Sequence, residues 1–239
     1  MEQLHNILFI DIETATGAPS FSHLSENMQE QWKRKAKILL ARSEEDKDTA
    51  QFYEEKAAIF AEFGKVVCIG LGAYIKEEHD WKFVMKSITD DDEKILLNEF
   101  ADAVSRFGSQ RKQVVFCGHN IKEFDIPFLC RRMLIHGISL PKAMQLHGKK
   151  PWDVPHIDTL ELWRFGDYKH YITLALLAEI LGIPSPKDDI DGSMVSALYW
   201  KENDKTRIGT YCLKDVHTTA AIYLKLKNIA DMHAEKVYL

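Results

Sequence analysis

The stretch that decides the fold is Ile7-Leu8-Phe9-Ile10-Asp11-Ile12-Glu13-Thr14. Its four leading apolar residues predict a buried strand over residues 4–10, and the run then meets two acids with one isoleucine between them. Residues i and i+2 of a strand project to the same side. Asp11 and Glu13 are therefore expected to emerge together beyond the last apolar residue. Two carboxylates so close raise each other's pKa unless a cation lies between them. A polar turn closing the strand is the alternative reading.

Two further places offer acids. In "GHNIKEFDIPFL", residues 118–129, a strand over 113–120 ends at Asn120 and Asp125 precedes Ile126-Pro127. Proline suits a first helical turn, so a helix is predicted over 124–137, closed by Gly137. Capping is the ordinary role of such an aspartate. The segment also delivers a carboxylate at the C-terminal end of a strand, where α/β sheets place their ligands. The last helix is predicted from about Lys205 to Ala230, with a stripe of Ile208, Cys212, Asp215, Thr219, Ile222, Leu226 and Ile229. An aspartate in such a stripe is costly unless something neutralises it. Tyr211 lies one turn earlier on nearly the same face, and a buried Asp–Tyr hydrogen bond is the plainer reading of the pair.

The rest of the chain supplies the scaffold. Residues 64–75 and 81–87 predict a hairpin. A helix follows over 88–108, and the acids Asp90, Asp91, Asp92 and Glu93 suit its N-terminal dipole better than a metal site. "HIDTLELW", residues 156–163, is expected to be a last short strand. Leu174, Leu177, Ala178 and Leu181 share a face of a helix stopped by Gly182 and Pro184. Residues 19–63 are polar and helix-favouring, with "SENMQEQWKRKAKILLA" (25–41) and "TAQFYEEKAAIFAEF" (49–63) expected as a solvated helical pair inserted between the first two strands. This order predicts an α/β fold, a mixed central β-sheet flanked by helices.

Composition agrees with one domain over residues 1–239 carrying an insertion at about 19–63. The chain has 239 residues, 46% apolar, with five tryptophans. No stretch approaches the roughly 18 apolar residues of a membrane span, so no membrane partner is expected. The N-terminus has no signal-peptide pattern. The scattered Cys68, Cys117, Cys130 and Cys212 are expected as small buried residues in a reducing compartment, which points to the cytoplasm. The ten histidines show no zinc spacing. A net charge of −5 speaks neither for nor against nucleic acid, because an acidic enzyme can hold phosphates through metal ions.

The three acidic segments resemble motifs Exo I, Exo II and Exo III of the DnaQ-like, or DEDD, 3′–5′ exonuclease superfamily. "DIE" (11–13) is similar to its Asp-x-Glu, "NIKEFD" (120–125) to the Asn-x4-Asp of family B DNA polymerase proofreading domains, and "YCLKD" (211–215) to the Tyr-x3-Asp of the tyrosine subtype, DEDDy. The histidine subtype would place His where Thr210 stands. The resemblance runs over essentially the whole chain. It is strongest to stand-alone predicted exonucleases related to those proofreading domains. The chain lacks a polymerase region and carries the extra segment 19–63.

The resemblance implies a ribonuclease H-like fold and a two-metal-ion hydrolysis releasing nucleoside 5′-monophosphates from single-stranded DNA or 3′ ends. It implies that Asp11, Glu13, Asp125 and Asp215 hold two Mg²⁺ or Mn²⁺ ions, and that Tyr211 orients the attacking water. Ile12 and Thr14 stand where superfamily members touch the terminal nucleotide. Asn120 and Phe124 are candidates for sugar or base contact, with a core role open for Phe124. Asp158 corresponds to a position that is usually not a ligand. "GKKPWD" (148–153) is expected to be a packed loop, with base stacking by Trp152 as the alternative. RNA in place of DNA leaves the chemistry unchanged. A non-catalytic binding module is the competing class, and the intact set of acids with Tyr211 argues against it.

Overall fold

The computed structural model describes residues 4–43, 47–77, 80–184, 190–229 and 234–239. Its centre is a six-stranded mixed sheet in the order β5-β4-β1-β2-β3-β6. The strands are β1 (Ile7–Thr16), β2 (Gly64–Glu77), β3 (Asp80–Ile88), β4 (Val115–Gly118), β5 (Ile157–Asp158) and β6 (Ala234–Tyr238). β2 pairs antiparallel with both β1 and β3, whereas β1–β4, β4–β5 and β3–β6 are parallel.

The alternation along β1 builds both faces of the core. Leu8, Ile10 and Ile12 enter a cluster with Leu96, Leu97 and Phe100 of α3 (Glu93–Gly108) and Phe128, Leu129 and Met133 of α4 (Asp125–Ile135). Ile7 and Phe9 point the other way, onto Val216, Ala220 and Tyr223 of α8 (Lys205–Leu226). Each such buried side chain contributes on the order of 1.5–3 kcal/mol. Asp11 and Glu13 share the parity of Phe9, so the register that packs the core also sends both acids toward α8.

α8 sits close to the sheet because β2 offers it a glycine. A Cβ at Gly70 would lie 2.8 Å from Cys212 Sγ and 2.9 Å from Val216 Cγ2, tighter than packed atoms tolerate. The helices α5 (Thr159–Arg164) and α6 (Leu174–Ile180) pack on α8, with Leu160, Leu177 and Ala178 meeting its Ile222.

Several boundaries differ from the sequence expectation. The first strand does not stop at the acids. Residues 4–6 form a 3-10 turn, and β1 continues through Thr16 with Asp11 opposite Gly70 and Glu13 opposite Cys68. Only the β4 side of β1 ends early, at Phe9 opposite Cys117. The last helix ends at Leu226, and residue 230 lies outside the described residues. "HIDTLELW" contributes only a two-residue strand before turning into α5, and it is not the last strand, because β6 follows.

The inserted segment forms α1 (Glu26–Ser43) and α2 (Thr49–Lys56), the second shorter than expected. It is more than a solvated pair. Trp32, Phe52, Tyr53 and Phe63 bury a core of their own, and the Tyr53 hydroxyl accepts the N–H of Ala18 at 3.1 Å. A further segment, α7 (Val195–Ala197) running into a π-turn at Leu198–Glu202, was not anticipated. It docks on the end of β1 through Ser196 Oγ, which accepts from Thr16 N at 3.0 Å, and Trp200 Nε1, which donates to Thr16 O at 3.0 Å. No helix among the described residues is long and apolar enough to cross a membrane.

Candidate active site

Beyond Phe9 the β4 side of β1 has no strand partner among the described residues, so the N–H groups there need other acceptors. The N–H of Ile12 donates to Asp125 Oδ1 at 3.1 Å across 113 residues of sequence. Asp125 is the first residue of α4 and does not cap it. Its carboxylate instead closes the gap left by the end of β4.

The turn that delivers Asp125 is tightly built. A Cβ at Gly118 would lie 2.8 Å from Ile10 O and would collide with Ile121; only glycine fits. Asn120 adopts φ 63°, a left-handed conformation asparagine tolerates. Asp158 then takes the turn's amides, accepting from Asn120 N at 2.9 Å, Lys122 N at 3.1 Å and Leu160 N at 3.0 Å. His119 bridges Thr159 Oγ1 and Ile172 O, both at 2.9 Å. Asp158 is thus a scaffold for the second acidic segment.

From the other face α8 supplies Tyr211, Cys212 and Asp215. The Tyr211 hydroxyl hydrogen-bonds Asp215. Cys212 Sγ lies 3.4 Å from both Asp11 O and Asp11 Oδ2. Side-chain donor atoms of Asp11, Glu13 and Cys212 fall within 4.8 Å of one another.

The electrostatics unite the three places. Burial raises the Asp11 carboxyl well above its ordinary range, and Glu13, Asp125 and Asp215 push it further. Glu13 is raised by burial, then by Asp215, Cys68 and Asp125. Burial drives Asp125 up to about 7 despite the N–H groups it accepts. Tyr211 is raised by burial and then by Asp215, Glu13 and Asp11, so its phenol stays protonated at neutral pH. Crowded carboxylates drawn wholly or partly out of water fit a hard cation, whose charge would oppose these shifts. Their oxygens suit Mg²⁺ or Mn²⁺.

The structure therefore brings Asp11, Glu13, Asp125, Tyr211 and Asp215 together. The four candidates for substrate contact are placed differently. Ile12 and Thr14 are buried, at 5% and 8% exposure, and the Ile12 side chain packs in the α3–α4 core. Phe124 is half-buried against the same core, 5.5 Å from the Phe128 ring. Asn120 lies half-exposed in the turn. Trp152, expected in a packed loop, is 75% exposed with Lys150 Nζ 5.4 Å from its ring. Sequence reasoning missed the part played by Asp158 and His119, whose partners are roughly 40 residues away.

Comparison with known families matches residues 59–239 to predicted 3′–5′ exonucleases related to the exonuclease domain of PolB. Asp125, Tyr211 and Asp215 lie inside the matched span, and Asp11 and Glu13 lie before it. No curated protein matches the chain. With most of its length matched, the chain belongs to the family of predicted 3′–5′ exonucleases related to the exonuclease domain of PolB.

Proposed function

We propose that the protein is a metal-dependent 3′–5′ exonuclease of the tyrosine subtype, removing nucleoside 5′-monophosphates from the 3′ end of single-stranded DNA. The whole chain, 1–239, acts as one exonuclease domain, with the 19–63 helices as an insertion. The observation that carries this reading is the convergence of four carboxylates from β1, α4 and α8: Asp11 and Glu13 are raised by burial and by the other acids, and Asp125 by burial and then by Asp158.

In this reading Asp11, Glu13, Asp125 and Asp215 hold two Mg²⁺ or Mn²⁺ ions. When bound, such ions activate a water and stabilise the leaving oxygen of a phosphoryl displacement. The protein's own groups set the geometry. β1, paired to β2 past both acids, fixes Asp11 and Glu13 on one side of a rigid strand. The Ile12 N–H holds Asp125. Tyr211 is a hydrogen-bond donor rather than a general base, because its proton is held more tightly than in a free phenol. It orients the attacking water toward the phosphodiester.

The test is a 5′-labelled single-stranded DNA and its RNA counterpart incubated with Mn²⁺, beside EDTA and Asp11→Ala controls. The reading expects a ladder shortening from the 3′ end, lost in both controls and faster for DNA. Faster digestion of RNA would transfer the substrate assignment to RNA. No digestion of either by the metal-loaded protein would overturn the reading.

A further inference from the structure

A short segment beside the catalytic turn shows its aromatic rings to solvent. Phe165, Tyr168 and Tyr171 are 87%, 84% and 62% exposed. Lys169 and His170 stand among them, both exposed. Three large rings within seven residues left in water are an unusual surface for a protein to keep without an occupant.

This segment is a built loop. Phe165 ends α5 in a left-handed conformation, φ 45°, which turns the chain outward. Asp167 N donates to Arg164 O at 2.8 Å, His170 N to Asp167 O at 3.2 Å, and Arg164 Nε to His170 O at 3.0 Å. The Asp167 carboxylate, itself exposed, accepts from Lys169 N at 3.2 Å. Lys169, His170 and the three rings stand exposed around it.

The loop is also tied to the turn that presents Asp125. Ile172, just after Tyr171, gives its carbonyl to His119, and Arg164, just before Phe165, reaches Glu123 at 3.6 Å. Lys122 pairs with Glu161 at 2.6 Å. Both ends of the loop are therefore fixed to residues 119–123, the approach to the candidate acids.

We infer that Phe165, Tyr168 and Tyr171, with Lys169 and His170, form a stacking platform for bases of a single strand upstream of the scissile bond. Every base has a π-face, so such a platform binds without sequence preference, and Lys169 and His170 offer hydrogen-bond donors to the phosphates between bases. The inference rests on the exonuclease reading for the position of the 3′ end. A flat aromatic–basic surface suits unpaired nucleotides, whose bases can splay onto it; a duplex keeps its bases stacked inside.

The experiment measures binding and turnover separately. Binding of a labelled single strand is followed by fluorescence anisotropy in EDTA, where nothing is cleaved. Turnover is followed with metal on a chromogenic aryl ester of a nucleoside 5′-phosphate, which has no upstream bases. Replacing all three rings, Phe165→Ala, Tyr168→Ala and Tyr171→Ala, is expected to weaken strand binding about tenfold or more. Aryl-ester turnover should stay at the native value. The ring-preserving triple Phe165→Tyr, Tyr168→Phe, Tyr171→Phe should bind like the native protein. Equal binding by the alanine triple, or no strand binding by the native protein, would overturn the platform. So would a native dimer that the alanine triple renders monomeric, since a second copy would then cover the rings. Failure of the native protein to hydrolyse the aryl ester would count against the catalytic reading and leave the binding result to decide the platform.

Discussion

Glu93 and Asp125 are about equally buried, at 5% and 4% exposure, and each begins a helix on the same face of the sheet. Burial has opposite consequences for the two. Glu93 pays a desolvation cost that would raise its pKa, but Arg132, the Val66 N–H and His136 outweigh it and hold the carboxyl below its ordinary range. Its oxygens accept from Val66 N at 2.7 Å and Arg132 Nε at 2.9 Å, with His136 Nε2 at 2.9 Å. Burial dominates at Asp125, where backbone N–H groups offset it only in part and Asp158 adds to it, and the carboxyl rises to about 7. A buried acid that the fold neutralises is structure. Acids that the fold gathers and whose carboxyls rise, as at Asp11, Glu13 and Asp125, suit a cation from solution.

The sharpest way to break this comparison is to remove one acid of each kind. Asp11→Ala or Asp215→Ala should lower single-turnover cleavage by about a thousandfold or more, because groups acting as a unit fail together. The metal-free fold should hold or gain stability, since a repelling charge is gone; a large loss of Tm without metal would contradict the account. Glu93→Ala should do the reverse. Removing one partner of a buried pair costs about 3–5 kcal/mol, read as a lower denaturant midpoint, while turnover per folded molecule stays near native.

The pH dependence of stability in EDTA should separate the regions by sign. Asp125 has a folded pKa raised to about 7, so the folded state binds the extra proton. Its contribution is present below the unfolded carboxyl pKa and is lost as pH rises toward 7. Glu93 is depressed, so its contribution is present above the unfolded pKa and is lost as pH falls through the folded value. Thermal melts across this range should show Asp125→Asn flattening the neutral limb and Glu93→Gln flattening the acid limb. Saturating Mn²⁺ should abolish the first effect and leave the second. The smallest effect belongs to Tyr211→Phe, expected to lower kcat roughly tenfold to a hundredfold through misoriented water, with KM little changed.

The sequence made the candidate acids legible because their signals are local. The i, i+2 spacing of Asp11 and Glu13, and Asp215 in an apolar stripe, require no knowledge of partners. What it hid depends on contacts far along the chain. β1 read as ending at Ile10 because the acids break its apolar pattern; only Gly70 and Cys68 on β2 show that the strand continues. β6 gives no strand signal in the sequence because Glu235 and Lys236 interrupt its five residues and none of them is buried. Glu93 reads as a helix-start acid, which it is, but Arg132 on α4 and His136 just past its end give it a second role. Trp152 was assigned to a packed loop from composition, and burial is not a local property.

The central claim is that the cluster of Asp11, Glu13, Asp125 and Asp215 is completed by cations from solution. Calorimetric titration of Mn²⁺ into the native protein and into Asp11→Asn and Asp125→Asn tests it most directly. The account predicts saturable binding of two ions by the native protein, reduced or lost in each variant. No saturable binding by the native protein, or binding unchanged by both substitutions, would contradict it.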